Sequence, residues 1–301
     1  MDVEIVKKNG RKFRLSNYGV VKDFVVSSID REVVRDSVDG RPGSLDYGVI
    51  EGDRSISVPF IFKSEDLHDY AHLRDELYSL LGDTEPFYIR EMRRPKTLQY
   101  DFVGFGQKPK WSSQTDNEYV NGKQYLVRLD GTISPSQKGI RGEVSLEFVT
   151  SGLPYAESVY TTKELNDTGL SALAEKYGLV DNIDDEQTQY VFTDNTFSVW
   201  NAGNVTVEPE SMYIYITLGL VTTDGSLKLT NKTTGETFAF NKAVTNRNIY
   251  LDGMNIMEGT AINALRNTNR QRIKLVPGVN NFKITGATFS QITVSFKFYY
   301  K

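Results

Sequence analysis

The chain contains no cysteine, and this one absence excludes a disulfide framework, zinc ribbons, iron–sulfur clusters and thiol catalysis. Histidine is nearly missing: His68 and His72 are the only two, which leaves little material for a histidine metal site or a Ser-His-Asp triad. Proline is scarce, nine in 301 residues, and seven of the nine occur at or before Pro154. No long apolar run is present. The longest, Tyr213 to Val221 (YIYITLGLV), falls far short of the roughly 20 residues a membrane helix needs and is expected as a buried strand. The opening MDVEIVKKNGRKF is charged and lacks the apolar centre of a signal peptide. Neither sign of charge dominates: 35 Lys and Arg face 39 Asp and Glu, a net charge of −4. The parts before and after residue 155 carry −2 each, so neither has the net positive charge of a typical nucleic-acid module. A soluble protein indifferent to redox conditions, or made in a reducing compartment, is expected, and not an enzyme of a common class.

Aromatic residues are plentiful. The 16 Phe and 17 Tyr favour β-structure, where rings pack well on a pleated surface. A length of 301 residues suggests two domains, each long enough to bury a core. In the first, Val3, Ile5, Phe13 and Leu15 alternate around Asn9-Gly10, a favoured hairpin turn. Val20–Ser28 reads as a strand, and Asp36–Asp53, with Gly40, Pro42, Gly43, Gly48 and Gly52, reads as a loop. Ile56–Phe62 (ISVPFIF) is a strand whose Pro59 argues for an edge or a bulge. A helix follows, with Ser64 as N-cap, an apolar stripe of Leu67, Tyr70, Leu73, Leu77, Leu80 and Leu81, and Gly82 as its stop. Further strands are expected at Phe87–Met92, Leu98–Phe105, Tyr125–Asp130 and Glu143–Thr150. Residues 1–155 are thus an α+β domain of antiparallel strands with one packed helix.

Residues 157–186 carry eight acidic side chains against Lys163 and Lys176, so 156–189 is expected as an acidic linker or insertion, with a helix around Leu170–Leu179. From Tyr190 to Lys301 about ten short strand-like runs recur between turns such as Asp224-Gly225, Thr234-Gly235, Asp252-Gly253 and Pro277-Gly278. That pattern predicts an all-β sandwich over 190–301.

No motif carries chemistry convincingly. His68 and His72 are four apart on the helix, but the general-base Glu of a helical zinc motif is missing and no third ligand is evident. In Gly40-Arg41-Pro42-Gly43 a proline removes a backbone donor, and a strand rather than a helix follows, unlike a phosphate loop. Asp181, Asp184, Asp185 and Glu186 lack the alternating ligands and central glycine of a calcium loop and read as a solvated run. Trp200, Tyr213 and Tyr215 are candidates for a sugar-stacking platform, or for core residues of the sandwich. The basic stretch Arg90–Tyr100 (REMRRPKTLQY) suits either a nucleic-acid backbone or a polar subunit interface. No catalytic residue, cofactor or metal is expected.

Four stretches together carry a resemblance. They are Asp39–Phe62; the helix Asp66–Gly82 continuing into Glu85-Pro86-Phe87-Tyr88; Val144–Ser158; and, in the second domain, 197–209, 231–238, 277–287 and the terminal FKFYYK. In them the sequence resembles the distal tail protein family of siphovirus-type bacteriophages of Gram-positive hosts, most nearly the staphylococcal phage versions. The resemblance implies a structural protein of the virion tail tip, made in the cytoplasm of the bacterial host. It implies a homohexameric ring whose N-terminal domains surround a channel for DNA, with galectin-like or carbohydrate-module-like second domains outside. The implied partners are the tail tube protein, the tape-measure protein, the tail-associated lysin or spike, and receptor-binding or upper baseplate proteins. DNA would pass without specific binding, which a net-negative protein suits, and no membrane insertion is implied. Within that reading, Asp39, Gly40, Arg41, Pro42, Gly43, Asp46, Tyr47 and Gly48 are candidates for the subunit interface. The alternatives are a carbohydrate-binding adhesion module recognising cell-wall glycans and, further off, a glycosidase with dispersed carboxylates.

Overall fold

The computed structural model describes residues 1–40, 42–93, 118–260 and 262–301. The chain divides into two compact units: Met1–Val120 with Gln124–Ala156 and Lys301, and Asn121–Lys123 with Glu157–Tyr300.

The first unit is built on an antiparallel sheet. Its described strands are β1 (Asp2–Val6), β2 (Lys12–Arg14), β3 (Gly19–Val21), β4 (Val25–Val26), β5 (Arg31–Ser37), β6 (Ser44–Glu51), β7 (Ser55–Lys63), β8 (Phe87–Arg93), β9 (Glu118–Tyr119), β10 (Lys123–Leu129), β11 (Ser136–Lys138) and β12 (Arg141–Thr150). The main path runs β2-β1-β8-β10-β12-β7-β3, and helix α1 (Leu67–Leu81) connects β7 to β8. Strict alternation sends Ile56, Val58, Phe60 and Phe62 of β7, and Val144, Leu146 and Phe148 of β12, to one buried face. Tyr70, Leu77, Leu80 and Leu81 of α1 complete that core. The N-cap of α1 is Asp66, whose Oδ1 accepts from the His68 and Asp69 amides at 2.8 Å, rather than the expected Ser64. Ser64 instead donates its hydroxyl to the carbonyls of Asp66 and Ile140.

Gly142 lies opposite Phe62, and a Cβ there would stand 2.2 Å from Phe62 Cζ. The missing side chain lets the Phe62 ring lie over β12 and stack on Tyr70 at 5.4 Å. Pro59, expected at an edge or bulge, is on β7, an interior strand flanked by β12 on one side and by β3 and β4 on the other. Its carbonyl accepts from the Lys22 amide at 2.8 Å, so its ring nitrogen faces the break between β3 and β4, where no ladder donor is needed. The same break divides the expected Val20–Ser28 strand in two. Loop-like Asp36–Asp53 is also different in the structure: β5 and β6 make a hairpin. The expected strand Leu98–Phe105 lies outside the described residues.

On the opposite face of β1 and β8 sits a buried polar network. Arg90 Nη1 lies 3.1 Å from Glu4 Oε2 and donates from Nε and Nη2 to Gln124 Oε1, while the Tyr119 hydroxyl donates to Glu4 at 2.8 Å. Burial and the adjacent Glu4 carboxylate push the Tyr119 hydroxyl up to about 12.

The second unit opens with β13 (Ala156–Ser158) and two helices, α2 (Thr162–Thr168) and α3 (Leu170–Tyr177). Its further strands are β14 (Val191–Phe192), β15 (Thr196–Asn201), β16 (Ile214–Thr223), β17 (Leu227–Asn231), β18 (Thr237–Phe240), β19 (Val244–Asp252), β20 (Asn255–Glu258), β21 (Ile262–Asn263), β22 (Gly278–Thr285), β23 (Gln291–Phe296) and β24 (Tyr299–Tyr300). They form a sheet β14-β23-β16-β19-β20-β21 and a second sheet β15-β22-β17-β18. Phe192 of the first stacks on Phe197 of the second at 4.5 Å, and Phe197 stacks on Phe282 at 5.2 Å. Segments 204–209 and 272–277 contribute a single bridge, Val207 to Leu275.

Residues 157–189 are part of this second unit, and they make it more than all-β. The reason is local. Thr161 and Glu164 form a capping box, Leu165 and Leu173 are buried, and Thr162 fills a gap at the edge of β23. The Thr162 hydroxyl donates to the Val294 carbonyl at 2.9 Å and accepts from the Phe296 amide at 3.0 Å, just where the two-residue β14 has ended. The acidic side chains face outward or are paired, Asp181 with Lys123 and Asp167 with Lys163.

Candidate functional site

The candidate interface residues gather on one feature. Among the described residues, strands β5 and β6 pair only with each other, in a two-stranded ribbon. The register runs from Arg31 opposite Glu51, through Val33 opposite Val49, to Ser37 opposite Ser44, with a bulge at Tyr47-Gly48. At the tip Gly40 and Gly43 have φ of +78° and +86°, backbone angles that side-chain-bearing residues resist. Gly48 has φ +106° at the bulge, and its amide donates to Asp46 Oδ1 at 2.9 Å. Asp39, Gly40, Pro42 and Gly43 are therefore at the ribbon tip, with Asp46, Tyr47 and Gly48 on its returning strand. Arg41 lies outside the described residues.

The ribbon is nearly all solvent-facing. Val33, Val38, Tyr47, Val49 and Ile50 are 43–64% exposed. An isolated pair of strands is marginally stable in water, and its two unpaired edges invite another chain. Those apolar residues, apart from Tyr47, were not singled out from the sequence. The signal was present: two β-branched runs, Val33-Val34 and Val49-Ile50, flank a Gly-Arg-Pro-Gly turn, which is hairpin patterning. At the ribbon base Glu51 accepts from Lys301 Nζ at 2.6 Å and from the Tyr155 hydroxyl at 2.7 Å. Those hydrogen bonds hold its carboxyl below the ordinary carboxylate range.

The aromatic candidates do not form one platform. Trp200 is on β15, half-buried, with its indole N–H donating to the Asn182 carbonyl at 3.1 Å. Tyr215 belongs to the other sheet, on β16, and stacks on Tyr250 at 5.9 Å, while Tyr213 just precedes that strand and is 43% exposed. Arg90, read as part of a surface basic stretch, is instead the buried partner of Glu4, and Arg93 pairs with Glu91 at 2.5 Å. Positions 94–100 of that stretch lie outside the described residues. His68 and His72 are exposed on α1. Among the described residues no three His, Asp or Glu side chains are grouped to hold a metal ion, and no helix is long and apolar enough to cross a membrane.

Among the described residues the ribbon is the feature that most of the candidate interface residues share. Residues 8–150 match the family model described as phage tail protein RIFT-related domain. Over its full length the chain has the fold of a distal tail protein. It aligns with the crystal structure of the SPP1 Dit protein at a TM-score of 0.63 and 14% identity, covering 98% of this chain and 99% of that one. That structure is described as a paradigm of the hub adsorption apparatus in Gram-positive-infecting phages. A chain of the phage p2 baseplate in its activated, strontium-bound conformation aligns at TM-score 0.41 and 9% identity over 98% of this chain and 97% of that one, too low to support an argument. No curated protein sequence matches significantly.

Proposed function

We propose that this protein is the distal tail hub of a siphovirus-type phage of a Gram-positive host. In this reading it closes into a hexameric ring at the tail tip, joins the tail tube to the tail-associated lysin or spike, and leaves a central channel for DNA. The observation that carries it is the ribbon β5–β6, an ordered hairpin with unpaired edges and exposed valine, isoleucine and tyrosine side chains. A ring contact is head-to-tail, so the ribbon of one subunit lies on a different patch of the next. The number six follows from the resemblance to distal tail proteins. Residues 1–155 form the ring in this proposal, and the sandwich of 190–301, galectin-like or carbohydrate-module-like, stands outside it, anchoring adhesion components. The test is the mass of the purified full-length protein by analytical ultracentrifugation, with negative-stain images of it alone and with its tail-tube and lysin partners. Six-fold rings are expected; assemblies with one copy, or with the sandwich lining the channel, overturn the proposal.

A second reading rests on the stacked Tyr215–Tyr250 pair beside exposed Tyr213, which offers flat apolar surface to a sugar. Here the sandwich is a carbohydrate-binding adhesion module. Retention of the full-length protein on purified cell-wall glycan, lost on Tyr213→Ala with Tyr250→Ala, is the expected result. Unchanged retention overturns it.

A further inference from the structure

Among its described residues the first unit has two buried arginines, and one of them is paired. Arg90, 6% exposed, is matched by Glu4 and Gln124. Arg54, 5% exposed, has no carboxylate or hydrogen-bond partner for its guanidinium among the described residues, and its Nε is buried and unsatisfied. Its backbone is nonetheless fixed on both sides, donating to Thr150 Oγ1 at 2.9 Å and accepting from the Thr150 amide at 3.0 Å. A charge buried next to the start of β7 without a counter-charge is costly, and an unsatisfied buried donor points to a missing partner.

Arg54 lines a pocket of about 430 Å³. Arg31 and Lys301 also line it, with the Ser27 and Ser28 segment and the Tyr125 ring, whose centroid is 5.9 Å from Arg54 Cζ. Val26 and Ile29 supply an apolar wall. Three cations therefore line the pocket; Glu51 pairs with two of them, bonding Lys301 and lying 3.6 Å from Arg31, so Arg54 is the one with no counter-charge among the described residues. Ser27 Oγ is used by the Ser55 amide, which leaves the Ser28 hydroxyl as a free donor at the pocket edge.

We propose that Arg54 is the base of an oxyanion site, with Ser28, Arg31 and Lys301 around it. A guanidinium presents parallel N–H groups that match two oxygens of a carboxylate or a phosphate, and low surrounding polarity strengthens such a bond. The pocket is larger than a bare oxyanion and has an apolar wall, so the oxyanion is carried on a body with some apolar surface. Its source is either a free phosphate compound or an acidic side chain of a second copy of this chain.

The experiment titrates inorganic phosphate into the full-length protein by calorimetry at constant ionic strength, alongside Arg54→Met, Arg54→Lys and Ser28→Glu. Ser28 is exposed, so Ser28→Glu keeps the fold and places an internal carboxylate in the pocket, which decides the matter where Arg54→Met does not fold. One phosphate per chain is expected for the wild type. Affinity should fall by at least about tenfold in Arg54→Met and Ser28→Glu, and by less in Arg54→Lys, which keeps the charge and loses the fork. Sedimentation separates the sources. If the oxyanion comes from a second copy, Arg54→Met and saturating phosphate both lower the oligomer mass; if it is a free compound, the mass is unchanged while phosphate still binds. Equal phosphate affinity in all four proteins, or no binding together with no change of mass, overturns the proposal. Neither result depends on whether the assembly is a six-membered ring.

Discussion

Replacing Val33 and Val49 together by serine tests whether the ribbon drives assembly, and the structure sets the expected size. The two valines face each other across the ribbon and are 43% and 53% exposed, so between them about one whole valine side chain is uncovered. Burying that surface against a neighbour is worth about 1.5–2 kcal/mol. Losing it lowers the association constant of each contact roughly 10- to 30-fold. A closed head-to-tail ring has one such contact per subunit, so the losses multiply and the ring should fall apart at concentrations where the wild type is fully assembled. The fold should hardly notice, because exposed substitutions of this kind change stability by only about 0.5 kcal/mol. Ile50→Ser probes the other face: Ile50 pairs with Glu32, one residue out of step with the valines, and is 57% exposed. Analytical ultracentrifugation reads the mass, and circular dichroism melting reads the fold. Dissociation by one variant and not the other identifies the face that docks. Full assembly by both, with melting unchanged, refutes the role given to the ribbon.

Gly142→Ala should destabilise the protein by about 1–3 kcal/mol, since its Cβ would meet the Phe62 ring at 2.2 Å; adding Phe62→Leu should recover part of the loss in a thermal melt. Thr162→Val keeps the shape of the side chain but strips both hydrogen bonds from the edge of β23, at a cost of about 1–3 kcal/mol. Hydrogen exchange should show the Phe296 amide losing protection first; unchanged exchange there would mean the helix is not anchored by this residue. Glu51 has a carboxyl lowered from 4.5, chiefly by the Lys301 hydrogen bond and then by that from Tyr155. Its folded-state value is below its unfolded one, so its contribution is present above about pH 5 and is lost as pH falls below 4.5 through the folded value. Glu51→Gln should therefore lower stability at neutral pH and flatten its decline in acid; parallel acid limbs for the two proteins would count against this.

Much of the candidate site was legible as turn chemistry and little of it as shape. Glycines 40, 43 and 48 marked backbone that ordinary residues avoid, and all three have positive φ. The stretch read as a loop because glycine, proline and aspartate punctuate it, and the β-branched runs on either side were not joined across the turn. Arg54 had no signal at all. Nothing in the string EGDRS separates a buried arginine from an exposed one, because its burial comes from Thr150 and Tyr125, which are distant in sequence.

The amino-acid sequence by itself determined the elements with strong periodicity. The α1 stripe, the alternation of β7 and β12, and the turns at Asp224-Gly225 and Asp252-Gly253 follow from spacing of 3.6 and 2 residues and from glycine angles, which are local properties. Tertiary structure alone decided what those elements touch. It moved the cap of α1 from Ser64 to Asp66, because the Ser64 hydroxyl is taken by the Ile140 carbonyl. It turned an acidic segment into part of the second unit, because Thr162 completes the unpaired edge of β23. It set Pro59 inside a sheet, because the neighbouring strand breaks at the point where proline has no proton to give. In each case a hydrogen-bonding group was satisfied by a partner that short-range pattern does not reach.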